Sequence, residues 1–344
     1  MAPVGTLPRL RHGGIALLGI LLLSACGGAE GGTSLPSEPV SVAPSAASLA
    51  FTFPQGETPT VTRQLTGLDE LYINPGAVID DGTTLHMFAN VFSDWPGHVD
   101  VPHLTSTDGV SWSLDPAEPV LTSDDIPFAD PGMDVSTGFL ADDGTWVLIF
   151  ETVQLGEPWS LGRATAPDPA GPWTVDPEPI LVAGAEGSFD AGGLAWPSVV
   201  RLGDEYALYY TAFDRPRGKG VIAMATSPDG VAWTKRDAPV VVADQDWELA
   251  KLDRPRVAAT PSGLVMVYAG GRLTDRGVAW SEDGVTWEKA AGQPAISQEM
   301  FPVSGQAWDA ALIVREGAVV YYLEIGTASG TAGTQVYRAT ADLP

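Results

Sequence analysis

Three aspartates, Asp134, Asp253 and Asp309, each stand at the start of a short apolar segment. A carboxyl group can donate a proton, accept one, or attack an electrophilic carbon. Glu151 and Glu324 stand at the end of the apolar segments that follow Asp134 and Asp309. These five carboxyl groups are therefore the candidates for acid–base or nucleophilic chemistry in this chain.

Other side chains at comparable points have the chemistry to hold a ligand. Arg254 and Arg256 supply fixed positive charge on both sides of a proline, and Asn74 precedes a proline in the same way. Trp196 and Trp308 offer large aromatic faces. Since neighbouring residues of a strand point to opposite faces, Arg254 need not hold the adjacent aspartate in its ionised form.

A repeated turn motif indicates the elements that position these side chains. The pattern Ser-x-Asp-Gly-x-x-Trp occurs at 106–112, 227–233 and 281–287, with a degenerate copy at 166–173. Its tryptophans are 61, 60 and 54 residues apart, and a short apolar strand that begins with proline follows each one. Because Asp and Gly shape turns and Trp packs between repeats, we expect the motif to be architectural.

Each repeat also contains a hairpin upstream of its tryptophan. Residues 197–200 form an apolar strand, Leu202-Gly203 a turn, and 206–211 a second strand. Five such units of four antiparallel strands predict an all-β fold, a five-bladed β-propeller. The fifth unit ends at Pro344 with only three strands, so we expect residues 49–53 or 61–65 to supply its fourth.

The motifs together resemble a known superfamily, the five-bladed glycoside hydrolases of the arabinanase, invertase and levansucrase kind, including families 43 and 32. The resemblance rests on the turn motif, on Ala170-Gly171-Pro172-Trp173, and on Trp196-Pro197-Ser198-Val199-Val200 followed by 206–211. It covers roughly residues 67–340. It implies a carboxylate pair facing a sugar at the mouth of the propeller, one acid protonating the leaving oxygen and one acting as nucleophile or base.

The chain departs from this family at the expected acids, which the family carries on the innermost strands of blades one, three and four. Asn74 and Trp196 stand where two of them belong, and only Asp253 matches. We therefore predict Asp253 as the foremost catalytic acid, with Asp134 and Asp309 as further catalytic residues. The predicted substrate-binding residues are Asn74, Trp196, Arg254, Arg256, Trp308, Glu151 and Glu324.

Three functions stay open on this sequence. The first is a glycoside hydrolase with a rearranged acid set, acting on a neutral oligo- or polysaccharide. The second is a carbohydrate-binding propeller that kept the cleft and lost the acids. The third is a protein-binding propeller that uses its acidic surface. The fold favours the first two.

The sequence predicts no cofactor. Three histidines, His86, His98 and His103, are scattered over one unit and no cysteine cluster accompanies them. No glycine-rich loop of the phosphate-binding kind follows a strand and opens a helix. A Ca²⁺ ion held by carboxylates in the channel stays open.

The N-terminus has the pattern of an export signal. Basic residues precede an apolar run at 13–23, which is shorter than the roughly 20 residues of a membrane-spanning helix. Leu23-Ser24-Ala25-Cys26 resembles the bacterial lipobox. We predict a signal peptide over 1–25, a lipidated Cys26 with a disordered tether over 26–48, and the propeller over 49–344, anchored to the outer face of the cell membrane.

The charge of the chain is strongly acidic. It has 18 basic and 43 acidic residues, and removal of residues 1–25 takes away two arginines and lowers the net charge from -25 to -27. Such a surface repels nucleic acid and anionic headgroups and disfavours a polyanionic substrate. We expect a monomer that binds carbohydrate, contacts the membrane only through its acyl chains, and binds no nucleic acid.

Overall fold

The computed structural model describes residues 47–216, 218–326 and 333–344. The predicted signal peptide, Cys26 and nearly all of the predicted tether lie outside these residues. Among the described residues, no helix is long and apolar enough to cross a membrane.

Strands dominate the described chain and are grouped in five antiparallel sheets, the blades. Blade 1 contains β1 (Tyr72–Asp80), β2 (Leu85–Phe92), β3 (Asp100–Val101), β4 (His103–Ser106), β5 (Ser113–Leu114) and β6 (Leu121–Thr122). Blade 2 contains β7 (Pro131–Leu140), β8 (Trp146–Gln154), β9 (Ser160–Ala166) and β10 (Thr174–Val175). Blade 3 contains β11 (Gly193–Leu202), β12 (Glu205–Phe213), β13 (Gly220–Ser227) and β14 (Thr234–Lys235).

The last two blades repeat the same order. Blade 4 contains β15 (Asp253–Thr260), β16 (Gly263–Ala269), β17 (Arg276–Ser281) and β18 (Glu288–Lys289). Blade 5 contains β19 (Gln306–Arg315), β20 (Ala318–Gly326) and β21 (Thr334–Asp342). The helical segments are short: α1 (Arg63–Thr66) and single 3₁₀ turns at Ser123–Asp125, Asp246–Glu248 and Gln298–Met300. The predicted all-β propeller of five blades is confirmed.

The first strand of every blade lies at the centre of the ring. These innermost strands are β1, β7, β11, β15 and β19, and each contacts the next, with β19 closing onto β1. Apolar side chains of neighbouring blades pack between the sheets, as Ala311 and Ile313 of blade 5 do with Ile73 and Met87 of blade 1. All five innermost strands therefore begin at the same end of the axis.

The two ends of the domain close blade 5. Thr52 pairs with Thr340 and Val61 pairs with Val336, both on the free side of β21. The two N-terminal segments considered from the sequence therefore share the role of the fourth strand. This closure covers the edge that β21 otherwise exposes.

The repeated turn motif joins each blade to the preceding one. In the first copy, the Asp108 carboxylate accepts hydrogen bonds from the backbone of Val110 and Ser111, each at 2.8 Å. Trp112 packs edge-on against Tyr322 of blade 5, with ring centroids 5.7 Å apart, and the Tyr322 hydroxyl donates to the Gly109 carbonyl at 2.9 Å. These contacts agree with the architectural role predicted for the motif.

Trp112→Ala is expected to lower the free energy of unfolding by about 3 kcal/mol, because it removes a buried ring from a blade interface. Thermal and denaturant unfolding measure the loss. Trp95→Ala serves as the control, since Trp95 is 37% exposed and lies outside the motif. Equal effects of the two substitutions on stability would contradict the packing role.

Candidate active site

Each innermost strand carries a β-bulge in its pairing with the second strand. The breaks in register lie between Asn74 and Ala77, Val135 and Thr137, Ala195 and Ser198, Asp253 and Arg256, and Ala307 and Ala310. A bulge disrupts the ladder locally and re-aims the side chains of its extra residues. Five bulges on five neighbouring strands therefore present one set of side chains at the axis.

Two bulge residues have a backbone conformation that is rare for residues other than glycine. Trp196 and Arg254 both have φ of 50°, and each directly precedes a proline. Such strain is retained where the surrounding structure imposes it, and it is concentrated at functional sites. Both side chains line the cavity described next.

The axial cavity has a volume of about 410 Å³. Of the ten predicted site residues, it brings together seven: Asp134, Glu151, Trp196, Arg254, Trp308, Asp309 and Glu324. Tyr72, Phe92, Ser93, Asp94, Trp95 and Thr334 complete its lining. Its volume lies within the range of small-molecule sites.

The acids of the cavity form two Asp/Glu pairs. Asp134 of β7 lies directly opposite Glu151 of β8 in the strand register. In the bulge of β19, the backbone N–H of Asp309 donates to Glu324 Oε2 at 3.1 Å. Side chains that are directly opposite on an antiparallel pair share a face, with Cβ atoms about 5 Å apart. Blades 2 and 5 thus each contribute one close pair of carboxyl groups.

Two asparagines of blade 1 hold Asp134 in place. Asn74 Nδ2 donates to Asp134 Oδ2 and Asn90 Nδ2 donates to Asp134 Oδ1, both at 2.8 Å. Asn90 Nδ2 also lies 2.7 Å from Asn74 Oδ1. Asn74 is fully buried and is not part of the cavity lining, so the structure gives it a positioning role instead of the predicted ligand contact.

Arg254 connects the Asp309 pair to the aromatic side of the cavity. Its Nε donates to Asp309 Oδ1 at 2.8 Å, and its guanidinium carbon lies 3.8 Å from the centre of the Trp196 ring. Its Nη1 is buried and has no hydrogen-bond partner among the described residues. Arg254 therefore supports Asp309 by an ion pair while one of its donors stays unused.

Arg256 lies beneath the axial cavity. It donates to the carbonyl oxygens of Ala310, Trp196 and Pro197, the last two at 3.2 and 3.3 Å. It lines a smaller space of about 50 Å³ further along the channel. The structure therefore does not support the predicted ligand contact of Arg256, because its donors are used to tie the innermost strands together.

Burial and mutual repulsion favour the protonated form of these acids. Burial, followed by the negative charge of Asp309, raises the pKa of Glu151 to about 8 and that of Glu324 to about 8. Burial and the charges of Asp309 and Glu151 also raise the pKa of Asp134 well above its usual range. Below pH 8 the cavity therefore contains carboxyl groups that carry a proton, as a general acid must.

Glu151 has the geometry of a proton donor. Its Oε2 accepts a hydrogen bond from the Trp196 backbone N–H and lies 3.4 Å from Ser136 Oγ. Its Oε1 is buried and has no partner among the described residues. One oxygen is thus fixed by the protein while the other is left to carry the proton.

Asp253 does not line the axial cavity, although one of its carboxylate oxygens lies 3.9 Å from Arg254 Nη1. Its carboxyl group is fully buried, lies 2.6 Å from Lys251 Nζ, and is not part of the cavity lining. The bulge of β15 begins after Asp253, so Arg254 takes the position at the axis. This placement does not support the prediction that Asp253 is the foremost catalytic acid.

The aromatic wall of the cavity was not predicted. Tyr72 stacks on Phe92 with centroids 5.5 Å apart, Phe92 lies 5.8 Å from Trp95, and Trp95 lies 6.3 Å from Trp159. Trp159 in turn contacts Trp196 at 6.0 Å. Tyr72, Phe92 and Trp95 line the cavity, whereas Trp159 contacts Trp95 and Trp196 without lining it. Trp95 falls outside the repeated turn motif, and this could have marked it as a site residue.

No three His, Cys, Asp or Glu side chains of the described residues are grouped so that they could hold a metal ion. The four central acids instead face arginine, asparagine and one another. The arrangement offers a proton, an ion-paired carboxylate and flat aromatic surfaces in one cavity.

The chain matches no protein-family model. Two uncharacterized proteins of Mycobacterium tuberculosis, from strains H37Rv and CDC 1551, are each 34% identical to it over 127 residues. The match covers 33% of this chain and 42% of each relative. The chain thus spans about two-fifths of the length of these curated relatives.

Solved structures share the fold over most of the chain. A structure of the GH130 family of mannoside phosphorylases and glycoside hydrolases has a TM-score of 0.64 at 17% identity, covering 88% of this chain and 98% of that one. A thermostable family-43 glycoside hydrolase has a TM-score of 0.60 at 15% identity, covering 79% of this chain and 89% of that one. A family 117 glycoside hydrolase of Zobellia galactanivorans has a TM-score of 0.63 at 13% identity, covering 86% of this chain and 91% of that one. The chain therefore has the five-bladed propeller fold of these glycoside hydrolases, as the resemblance in its sequence implied.

Proposed function

We propose that this protein binds a glycan in the axial cavity and hydrolyses a glycosidic bond there. The single observation that carries the proposal is the meeting of two Asp/Glu pairs in one cavity, Asp134 with Glu151 and Asp309 with Glu324. Glycoside hydrolysis needs one protonated acid and one carboxylate on the two sides of the scissile bond. The cavity offers candidates for both roles.

In this proposal Glu151 protonates the leaving oxygen and Asp309 acts as the carboxylate. Glu151 holds its proton below pH 8, and after donating it the new carboxylate stays within the field of Arg254 and Arg256. Asp309, ion-paired with Arg254, either attacks the anomeric carbon or takes a proton from the attacking water. Trp196 and Trp95 offer faces against which the apolar sides of sugar rings can pack.

The similar structures support a glycan as the ligand by analogy of fold. The GH130 family, to which one of these structures belongs, contains glycoside hydrolases that target beta-1,2 mannosidic linkages in Candida mannan. The aromatic wall and the mixed polar lining of the axial cavity are consistent with a ligand that has both hydroxyl groups and apolar ring faces. Manno-oligosaccharides are therefore the first substrates to test.

A carbohydrate-binding protein without catalytic activity is the second candidate. It is favoured by Asn74 and Trp196, which stand where the resembled family carries acids, and by the absence of Asp253 from the cavity lining. In this reading the aromatic wall and Arg254 bind the sugar, and the raised pKa of Glu151, caused by burial and by the charge of Asp309, has no catalytic role.

Hydrolysis and binding are tested together on one panel of oligosaccharides. The panel contains α- and β-linked manno-, gluco-, galacto- and arabino-oligosaccharides. Chromatography of released sugars measures turnover, and isothermal titration calorimetry measures binding. We expect at least one member to be both bound and cleaved. Binding without cleavage would favour the second candidate, and the absence of both would refute the glycan proposal.

We also propose that Cys26 carries a lipid that anchors the domain to the outer face of the cell membrane. The proposal is supported by Leu23-Ser24-Ala25-Cys26 at the end of an apolar run and by the absence of any other cysteine in the chain. Cys26→Ser is expected to move the protein from the membrane fraction to the soluble fraction. Membrane fractionation and mass spectrometry measure the change, with Ser34→Ala in the tether as the control. An unchanged distribution of Cys26→Ser would point to a different anchor.

A further inference from the structure

A second cavity of about 410 Å³ adjoins the axial cavity, and Trp308 lines both. We call it the side groove. It is lined by Arg272, Thr274, Gln298, Gln306, Ala307 and Trp308, together with one leucine. The axial cavity has five acids in its lining, whereas the lining of the side groove contains an arginine and no acid. In a chain with 43 acidic and 18 basic residues, this contrast needs a physical reason.

Arg272 presents an exposed guanidinium group to the side groove. The ion pairs that arginines form among the described residues do not include Arg272. Burial raises the pKa of Asp275 overall, and the positive charges of Arg272 and Arg276 oppose this shift. One partly buried acid thus stands against two arginines, and the groove keeps a net positive charge.

Arg276 adds a buried positive charge beside the groove. It is fully buried, its Nη2 donates to the Trp308 carbonyl at 2.7 Å, and its Nε donates to the Tyr321 hydroxyl at 3.1 Å. Its Nη1 is buried without a partner, and Arg276 forms no ion pair within the described part of the chain. A buried donor without a partner is costly, so a ligand oxyanion that reached Arg276 Nη1 would satisfy it.

We infer that the side groove binds an anionic sugar unit of the same glycan whose neighbouring unit occupies the axial cavity. Arg272 contacts the carboxylate, phosphate or sulfate of that unit, because a guanidinium matches these planar or tetrahedral oxyanions with paired donors. Gln298, Gln306 and Thr274 bind its hydroxyl groups, and Trp308 packs between the two units. The inference rests on the proposed function, since it takes the ligand to be a glycan.

This inference departs from the neutral glycan expected from the sequence. That expectation used the net charge of the whole chain, but charges on the far side of the domain are screened over about 8 Å at physiological salt. The ligand responds to the nearby charges, and the lining of the side groove contains one arginine and no acid. A glycan with one anionic unit is therefore compatible with an acidic protein, whereas a uniformly anionic polymer meets the acids of the axial cavity.

The test uses four monosaccharides on the full chain: D-glucuronate, D-glucose 6-phosphate, D-glucose 6-sulfate and D-glucose. Titration followed by NMR measures each affinity at low and at physiological salt. We expect at least one anionic sugar to bind at least 10-fold more tightly than glucose, since a charge-assisted hydrogen bond is worth a tenfold change or more. The preferred anion identifies whether the group is a carboxylate, a phosphate or a sulfate.

Arg272→Gln is expected to remove this preference, so that the anionic sugars bind no more tightly than glucose. The matched control is Arg215→Gln, because Arg215 is also an exposed loop arginine but pairs with Asp214 and lines neither cavity. The control should keep the full preference. Both substitutions lie on exposed loops, and thermal unfolding confirms that the fold is retained.

Four results decide the inference, and they distinguish its failure from that of the proposed function whenever any sugar binds. If glucose or a neutral oligosaccharide binds and no anionic sugar binds more tightly, the inference is wrong and the proposed function survives. Equal weakening of glucose and anionic sugars by Arg272→Gln would also overturn it. If no member of either panel binds, both fail together. A preference for anionic sugars that Arg272→Gln abolishes supports the inference whether or not the protein cleaves the oligosaccharide panel.

Discussion

Glu151→Gln is expected to retain glycan binding while lowering the rate of hydrolysis by about 10²- to 10⁴-fold. Glutamine keeps the shape of glutamate and can still accept the hydrogen bond from the Trp196 backbone N–H through its amide oxygen. Its amide group is too weakly acidic to protonate a leaving oxygen. The change also removes an acid from a cluster of four, so the fold should not lose stability. Steady-state kinetics on a cleaved member of the panel measures the effect.

Glu248→Gln is the matched control for this prediction. Glu248 is also a fully buried glutamate, but it accepts a hydrogen bond from Tyr268 at 2.9 Å, pairs with Lys289 at 2.7 Å, and does not line the axial cavity. Its substitution should cost stability and leave the turnover of the folded protein unchanged. If Glu151→Gln cleaves at the wild-type rate, Glu151 is not the proton donor and Glu324 becomes the next acid to test.

The same assignment fixes the direction of the pH dependence of hydrolysis. The donor must be protonated, and the pKa of Glu151 is raised to about 8. Hydrolysis should therefore fall as the pH rises through about 8. This basic limb should disappear in the residual activity of Glu151→Gln.

The fold was predictable because its signals are local and repeated. The turn motif, which ends at Trp112, Trp233 and Trp287, occurs in three of the blades. The hairpins indicate the other strands of the repeats. Counting the strands of each repeat showed that blade 5 lacks a fourth strand. The segments around Thr52 and Val61 pair with β21 and take that place. Each of these inferences needed only a short stretch of sequence and the antiparallel geometry of one hairpin.

The site was less predictable because bulges decide which side chain reaches the axis. The sequence placed Asp253 in the cavity by its match to the family, but the break in register after it puts Arg254 there. Alternation along a strand does not reveal where such a break occurs. Asn74 likewise precedes a proline, yet it contacts Asp134 of the next blade instead of a ligand. Contacts between blades depend on the closure of the whole ring, which no single segment encodes.

Arg254→Met is expected to lower the free energy of unfolding by about 4 kcal/mol at pH 8, because it leaves buried carboxylates without their cation. The loss should be smaller at pH 5. The pKa values of Glu151 and Glu324 are raised to about 8 in the folded protein from an ordinary value of 4.5. An acid whose pKa is higher in the folded than in the unfolded protein contributes stability that is fully present below pH 4.5. This stability is lost as the pH rises towards 8. Wild-type stability should therefore fall between these pH values.

Removal of Arg254 makes this fall steeper, because the arginine lowers the pKa of both glutamates and pairs with Asp309. Denaturant unfolding at pH 5 and pH 8 measures the difference. Arg201→Met is the control, because Arg201 stacks on Tyr206 and does not line the axial cavity. The control should show the wild-type pH dependence. An equal loss for Arg254→Met at both pH values would mean that Arg254 stabilises the fold by packing on Trp196 and not by balancing the acids. The role of Arg254 as the cation that balances Asp309 and the two glutamates would then be wrong.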